Sequence, residues 1–251
     1  MDFTLNSYIS IIRTLLENGY FFMSFKEYIK NPAEKGIVLR HDVDRLPENA
    51  LKMAKIENYC RVVGSYYFRV LPGIFDEKII SQIANLGHEI GYHYETMDTS
   101  QGDPIKAWDE FRHNLDTFRR IVPVSTICMH GSPRSKYDNK DLWKSFDYHS
   151  VGIIGEPYFD IDFNKVAYLS DTGRRWNGAS VSVRDKVQSN FTFNFKSTFD
   201  IINNISLLPD QVMFTFHPQR WTDNPILWVK ELAMQNAKNA AKYFIVKIRK
   251  E

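Results

Sequence analysis

The first residues of the chain place apolar and polar side chains in a helical pattern. From Leu5 to Leu16 the apolar residues recur at steps of three and four, which is typical of a helix with one buried face. A second, shorter helix is predicted from Ser24 to Asn31, because Ser24 and Glu27 have the spacing of a capping box. Residues 1–35 are therefore predicted to form an N-terminal helical pair.

From residue 36 onward, short β-rich runs alternate with segments of helical length. The candidate strands are Ile37 to Asp42, Ser65 to Val70, His88 to His93, Ser125 to His130, Ser150 to Ile154, Val166 to Ser170 and Val212 to His217. The amphipathic segments between them include Pro47 to Val63, Asp76 to Leu86 and Asp103 to Ile121. A strand followed by a helix, repeated along the chain, predicts parallel strands joined by helical crossovers.

This alternation predicts an α/β fold, a distorted (β/α) barrel with about seven parallel strands, since a regular barrel uses eight strand–helix units in about 250 residues. An open, doubly wound sheet is the alternative layout. A long C-terminal helix is predicted from Asn224 to Ile248, with a stripe that would close the outer ring of helices. The stripe comprises Val229, Leu232, Asn236, Ala240, Phe244 and Ile248.

The composition supports one folded domain and excludes a class of partners. The chain has 251 residues, 43% of them hydrophobic and 25% charged, which is enough for one large core and excludes disorder. Residues 1–251 are predicted to form a single barrel domain, in which residues 155–195 interrupt the alternation as a lid or insertion. The net charge of +2 is too balanced for a broad basic face, so no nucleic-acid partner is expected.

The sequence favours a cytoplasmic protein without a transmembrane segment. Two cysteines, Cys60 and Cys128, are too few for a disulfide framework and fit a reducing compartment. The first helix does not match a signal peptide, because Arg13 interrupts its apolar run and no small-residue cleavage site follows. No apolar stretch approaches the ~18 residues that a membrane span requires.

Two carboxylates lie at the carboxyl end of the first candidate strand. Asp42 and Asp44 lie on one side of the strand, because successive side chains alternate. Functional groups of both candidate folds gather at the carboxyl ends of their strands, so this pair is a candidate for acid–base or metal chemistry. The alternative is that Asp44 caps the following helix, where negative charge is favourable.

Histidines end three further candidate strands. His93 shares a strand side with Glu95, while His130 and His217 each end a strand and precede a turn. A single histidine at such a position is more often a hydrogen-bonded structural residue than a ligand. Four strand ends that each offer a histidine or a carboxylate pair favour a common site.

Three motifs, in this order, resemble the polysaccharide deacetylase family, also known as the NodB-homology or carbohydrate esterase family. They are Arg40-His41-Asp42-Val43-Asp44, the segment Gly-His-Glu-Ile-Gly-Tyr-His at 87 to 93, and Phe216-His217-Pro218. The first motif looks like that of a divergent branch with H-D-V-D in place of T-F-D-D-G. The resemblance runs from Ile37 to Pro218. It implies that the fold is a distorted barrel. It also implies an enzyme that removes acetyl groups from N-acetylated sugars with one divalent metal ion, usually zinc.

The resemblance also implies individual roles, and one position departs from it. Asp42 would be the general base, His217 the general acid, and Asp44 and His93 metal ligands. The family's second motif, H-x-x-x-H, supplies another histidine ligand, but Met97 occupies that position here. His130, at the end of the next strand, is our expected third ligand. Glu95 is the alternative, because an Asp/His/Glu set also suits zinc.

Further residues are predicted to contact the sugar or to orient the catalytic groups. They are Arg69, Tyr94, Glu95, Asp171, Arg175, Trp176 and Trp221. Aromatic faces stack on sugar rings, although some of these aromatic residues could instead belong to the hydrophobic core. The segment from Asp171 to Trp176 is a polar, cationic loop suited to a sugar that carries phosphate or carboxylate, or else a solvated charge run. Asp171 is also suited to hold His217 as an imidazolium.

The sequence thus predicts a metal-dependent hydrolase of the amide bond of an N-acetyl sugar, in a glycan precursor or polysaccharide. One alternative is a carbohydrate-binding relative with impaired catalysis, for which Met97 is the main argument. The other is a metal-dependent glycosyltransferase, because Asp42-Val43-Asp44 is also a D-x-D pattern. That second alternative leaves His93, His130 and His217 unexplained.

Overall fold

The computed structural model describes residues 1–132, 135–176 and 187–248, without the side chains of residues 242–248. The helices are α1 (Leu5–Glu17), α2 (Phe25–Lys30), α3 (Pro47–Tyr59), α4 (Glu77–Asn85), α5 (Thr96–Thr99), α6 (Pro104–Arg119), α7 (Pro157–Asp160), α8 (Thr198–Asn203) and α9 (Pro225–Ile248). The strands are β1 (Phe21–Met23), β2 (Gly36–Val43), β3 (Ser65–Phe68), β4 (Glu89–Tyr94), β5 (Ile127–Met129), β6 (Ala167–Ser170) and β7 (Gln211–Phe216).

The strands described form one parallel sheet in the order β5-β4-β3-β2-β7-β6, with β1 also paired to β2. The sheet curls into a half-barrel with helices around it, which confirms the predicted α/β class and its distorted-barrel form. The N-terminal helical pair is α1 and α2, and the Ser24–Glu27 capping box is present. Because every pairing is parallel, the carboxyl ends of the strands meet at one edge of the sheet.

Two differences concern the strands. The run from Ser150 to Ile154 is not a strand: Tyr148–Val151 is a 3-10 helix, and only a single bridge joins Thr126 to Gly155. The additional strand is β1, between the two N-terminal helices. Its three residues are too short to produce an alternating pattern that would mark a strand in the sequence.

The predicted inward stripe of α9 is wrong. Val229 is 58% exposed, and the residues that α9 buries are Glu231, Gln235 and Asn239. The physical reason is that α9 packs across polar loops: Asn239 donates a hydrogen bond to the Gly173 carbonyl oxygen. Asn236 and Ala240 are exposed as well, and the side chains of Phe244 and Ile248 lie outside the described part.

The range 155–195 contains two regular elements. Helix α7 and strand β6 both fall within it, and β6 pairs with β7 as part of the sheet. Residues 177–186 of the predicted lid lie outside the described part of the chain. Among the described helices, none combines the length and the apolar character that crossing a bilayer requires.

A buried polar cluster joins the N-terminal helix to the sheet. The Glu57 carboxylate on α3 accepts hydrogen bonds from the hydroxyls of Tyr8 and Tyr66, and Glu57 Oε1 lies 2.9 Å from His41 Nε2. His41 Nδ1 is 3.2 Å from the Ser65 carbonyl oxygen, so both ring nitrogens lie beside acceptors. Burial raises the pKa of Glu57, but His41, His88 and the Tyr8 hydroxyl together outweigh it and leave that pKa lowered.

We expect Glu57→Gln to lower the free energy of unfolding by about 3 kcal/mol, because it disrupts the buried contacts of the carboxylate with His41 and with the hydroxyls of Tyr8 and Tyr66. Chemical denaturation measures this difference. Glu48→Gln, an exposed carboxylate in the first turn of the same helix, is the matched control and should cost less than about 1 kcal/mol. Equal effects of the two substitutions would contradict a structural role for the buried ion pair.

Candidate functional site

The carboxyl edge of the sheet brings together the residues that the sequence placed at the strand ends. Asp42 lies at the end of β2, with Asp44 just beyond it, and His93 lies near the end of β4. His130 and His217 immediately follow β5 and β7. The His130 N–H donates to the Tyr94 carbonyl oxygen at 2.8 Å, which continues the pairing of β4 with β5 past the last residue of β5.

The Asp44 carboxylate is the centre of this group. Its Oδ1 lies 3.5 Å from His93 Nε2 and 3.6 Å from His130 Nε2, and its Oδ2 lies 4.0 Å from His217 Nε2. Oδ1 is buried and accepts no hydrogen bond from any described residue. Burial alone would raise the pKa of Asp44, but the neighbouring histidines outweigh it and hold that pKa well below its usual range.

His93 and His217 are hydrogen-bonded through Nδ1, and His130 Nδ1 lies close to a carboxylate oxygen without forming a hydrogen bond. The Nδ1 neighbours are the Cys128 carbonyl oxygen for His93 at 2.9 Å, Glu95 Oε2 for His130 at 3.1 Å, and Asp171 Oδ1 for His217 at 2.6 Å. An acceptor at Nδ1 fixes the ring orientation and favours the tautomer whose Nε2 is available as a ligand or proton carrier. The Nε2 atoms therefore converge on Asp44.

Two of those carboxylate anchors are themselves fixed by cations. The Arg69 guanidinium binds Glu95 through both of its oxygens, at 3.0 and 2.5 Å, and Arg220 Nη1 lies 2.6 Å from Asp171 Oδ1. Burial would raise the pKa of Glu95, but hydrogen bonds from His130 and Arg69 lower it to about 2. Arg69 and Glu95 thus position His130 in this structure, rather than presenting free groups to a ligand.

Arg40 and Asp42 form a similar pair. Arg40 Nε and Nη2 donate to the two Asp42 oxygens at 2.8 and 2.6 Å, and Asp42 is only 3% exposed. Asp42 Oδ2 also lies 3.8 Å from His93 Nε2. The bidentate contact holds the carboxylate plane beside the ring, while each oxygen keeps further acceptor capacity.

A second donor set overlaps the first. Ligand atoms of Asp42, His93 and Cys128 all lie within 4.8 Å of one another, and all three residues are buried. Among the described residues, Asp44, His93 and His130 do not meet that mutual spacing. A carboxylate, an imidazole and a thiolate also suit zinc, so Cys128 joins Glu95 as an alternative to His130.

The aromatic side chains that are predicted to contact a sugar lie inside the protein. Tyr94, Trp176 and Trp221 are buried, with exposures of 0%, 4% and 0%. The Tyr94 ring packs in the core because it points to the opposite side of β4 from His93. The Trp221 indole N–H donates to Asp171 Oδ2 at 2.7 Å, so this side chain orients Asp171 instead.

The loop after β6 also differs from expectation. Arg175 is exposed, and it has no hydrogen bond or ion pair with another described residue. Its contacts therefore do not connect it to the site. Arg174 is buried, with its guanidinium over the rings of Phe3 and Trp228. Asp171 keeps the role suggested for it in holding His217, and its own pKa is lowered because Arg220 and His217 outweigh the effect of burial.

Sequence reasoning did not single out two polar side chains at the site. Gln219 Nε2 donates to Asp44 Oδ2 at 3.3 Å, and Asn139 Nδ2 donates to the His130 carbonyl oxygen at 2.7 Å. Asn139 lies in a 3-10 helix well beyond β5, and no sequence pattern signals its return to the strand end. Gln219 could have been noticed only through its position two residues after His217.

Comparison with known proteins gives similarity at the level of solved structures. No protein-family model and no curated protein sequence matches the chain. A family 4 carbohydrate esterase from Bacillus anthracis aligns with a TM-score of 0.43 and 11% identity, over 92% of this chain and 86% of that one. PdaA from Bacillus subtilis, also a family 4 carbohydrate esterase, aligns with a TM-score of 0.46 and 14% identity, over 90% and 83%.

Glu156 fixes the end of β5 from below the site. Its Oε1 accepts the Met129 N–H at 3.0 Å, and its Oε2 accepts the Tyr158 N–H at 2.6 Å. The side chain is fully buried. Burial raises the pKa of Glu156 from 4.5 to about 7, against the effect of these hydrogen bonds.

This shift predicts a pH-dependent stability. Between about pH 4.5 and 7 the folded protein keeps a proton on Glu156 that the unfolded chain has released, so stability falls as pH rises through this window. The loss amounts to about 3 kcal/mol and is complete above about pH 7. Urea unfolding of the protein and of Glu156→Gln at several pH values measures it. The difference between the two should change across the window, and a constant difference would contradict the assignment.

Proposed function

We propose that the protein is a metal-dependent deacetylase that hydrolyses the N-acetyl group of a sugar in a glycan precursor or polysaccharide. The observation that carries this proposal is the Asp44 carboxylate, faced by the Nε2 atoms of three histidines, two of which are hydrogen-bonded through Nδ1. The motifs that resemble polysaccharide deacetylases contribute Asp42, Asp44, His93 and His217 to this group.

The donor set fits a divalent ion such as zinc. Asp44 Oδ1 is a buried anionic oxygen without a hydrogen-bond donor, and such an atom is costly unless a cation balances it. Asp44, His93 and His130 would hold the ion through one carboxylate and two imidazoles, a combination typical of catalytic zinc. A three-residue set leaves a position for water or substrate.

Such an ion, when bound, would supply a Lewis acid that acidifies water and polarises the acyl carbonyl. Asp42 takes the proton of the attacking water, because its oxygens lie beside His93 and retain acceptor capacity after binding Arg40. Arg40 keeps the carboxylate in one orientation during this transfer, and so lowers the entropy that must be lost in reaching the transition state.

His217 delivers a proton to the leaving amine. Its Nδ1 is held by Asp171, so a proton on Nε2 faces the Asp44 side of the site. The buried Asp171 carboxylate stabilises the imidazolium, and Arg220 and Trp221 hold that carboxylate in place. An amine leaves far more readily once protonated, so this step is required for amide cleavage.

The purified protein should carry about one equivalent of zinc, and His93→Ala should remove it. Elemental analysis after gel filtration measures the ratio of metal to protein. His113→Ala is the matched control, because His113 is exposed on α6. A wild-type protein that cannot be loaded with zinc or another divalent ion would instead favour a carbohydrate-binding protein without catalysis.

We expect acetate release from an N-acetylated sugar, with Asp42→Asn reducing the rate at least ~100-fold because the general base is lost. Bound metal should be retained in this variant, which separates loss of the base from loss of a ligand. Enzymatic detection of acetate measures the rate. Transfer of sugar from a nucleotide donor without any acetate release would contradict the proposal and favour a glycosyltransferase.

A further inference from the structure

Helix α9 brings positive charge to the rim beside Asp44. Arg45, the residue after Asp44, contacts α9 twice: its Nη1 is 3.7 Å from Met234 Sδ, and its Nη2 is 3.4 Å from Glu231 Oε2. Residues three and four apart share one face of a helix, so Lys238 lies one turn beyond Met234 on the same face. Asn239 beside it is bound to the loop that follows Asp171.

The arginines around the site differ in how far their charge is balanced. Arg40, Arg69 and Arg220 each meet a carboxylate at 2.5 to 2.6 Å. Arg45 reaches Glu231 only at 3.4 to 3.5 Å, and its side chain is 42% exposed. Its charge is therefore the least neutralised of the four.

Lys238 is exposed, and it forms no ion pair with any residue that the structure describes. Burial and the charges of Arg45 and Arg220 lower its pKa, while Glu231 and Asp44 act in the opposite direction. Its position one helical turn beyond Met234, which Arg45 contacts, puts Lys238 on the side of α9 that faces Arg45. The rim thus holds two cations, and Glu231 is the carboxylate that contacts Arg45 there.

We propose that Arg45 and Lys238 bind an anionic group, a carboxylate or a phosphate, on the sugar that enters the site. This inference rests on the proposed function, because it assumes that a sugar lies against Asp44. An oxyanion between the two side chains would complete the coordination of a guanidinium that Glu231 holds only at long range.

Direct binding of three sugars tests this subsite without turnover. The sugars are N-acetylglucosamine, N-acetylmuramic acid and N-acetylglucosamine 6-phosphate, which carry no charge, a carboxylate and a phosphate. Calorimetry on the zinc-loaded Asp42→Asn protein gives the dissociation constants. The variants are Arg45→Gln and Lys238→Gln, with Lys230→Gln, an exposed lysine on α9, as the matched control.

At least one anionic sugar should bind about tenfold more tightly than the neutral sugar, and each of Arg45→Gln and Lys238→Gln should reduce this preference about threefold. Lys230→Gln should leave it unchanged, and high salt should weaken it. The anionic sugar that binds more tightly shows whether the subsite takes a carboxylate or a phosphate. Equal affinity for all three sugars, or an unchanged preference in the double variant, would overturn the inference.

Failure of the inference and failure of the proposed function give different results. Acetate released by the wild-type protein from N-acetylglucosamine, together with no preference for anionic sugars, would overturn the subsite and leave the deacetylase proposal standing. A preference that depends on Arg45 and Lys238, with no acetate released from any of the three sugars, would support the anionic subsite and overturn the deacetylase.

Discussion

The site depends on one buried carboxylate oxygen, Asp44 Oδ1, that lacks a hydrogen-bond donor. Asp44 Oδ1 is enclosed at the carboxyl edge of a parallel sheet, where His93, His130 and His217 turn their Nε2 atoms toward the Asp44 carboxylate. Positive charge on the histidines or a bound cation must balance such an oxygen. The acceptors at Nδ1 orient each ring so that its Nε2 faces Asp44. The surrounding hydrogen bonds therefore maintain the convergence of the Nε2 atoms on Asp44.

The rest of the fold keeps these acceptors fixed. Arg69 holds Glu95 behind His130, Arg220 and Trp221 hold Asp171 behind His217, and Glu156 fixes the end of β5. Each contact joins neighbouring segments at the same edge. The polar face of α9 then closes the rim beside Asp44, and this explains why its inward side chains are Glu231, Gln235 and Asn239.

Much of this arrangement could be predicted because parallel pairing and side-chain alternation are simple rules. They place Asp42, His93 and His217 at one edge once the strands are recognised. The aromatic residues could not be assigned in this way, because stacking on a sugar and packing in a core have the same composition. Trp221 beside His217 is an example, since only its burial and its bond to Asp171 show its role. The orientation of α9 could not be predicted, because the helix packs its polar face on loops whose position the sequence does not reveal. Its apolar stripe therefore turns away from these loops.

If Asp44, His93 and His130 hold a metal ion, the zinc coordination sphere must consist of their oxygen and nitrogen atoms. X-ray absorption at the zinc edge distinguishes nitrogen and oxygen ligands near about 2.0 Å from sulfur near about 2.3 Å. We expect nitrogen and oxygen ligands only, with part of the imidazole signal lost in His130→Ala. A zinc–sulfur distance that disappears in Cys128→Ser would contradict it and assign the ion to Asp42, His93 and Cys128.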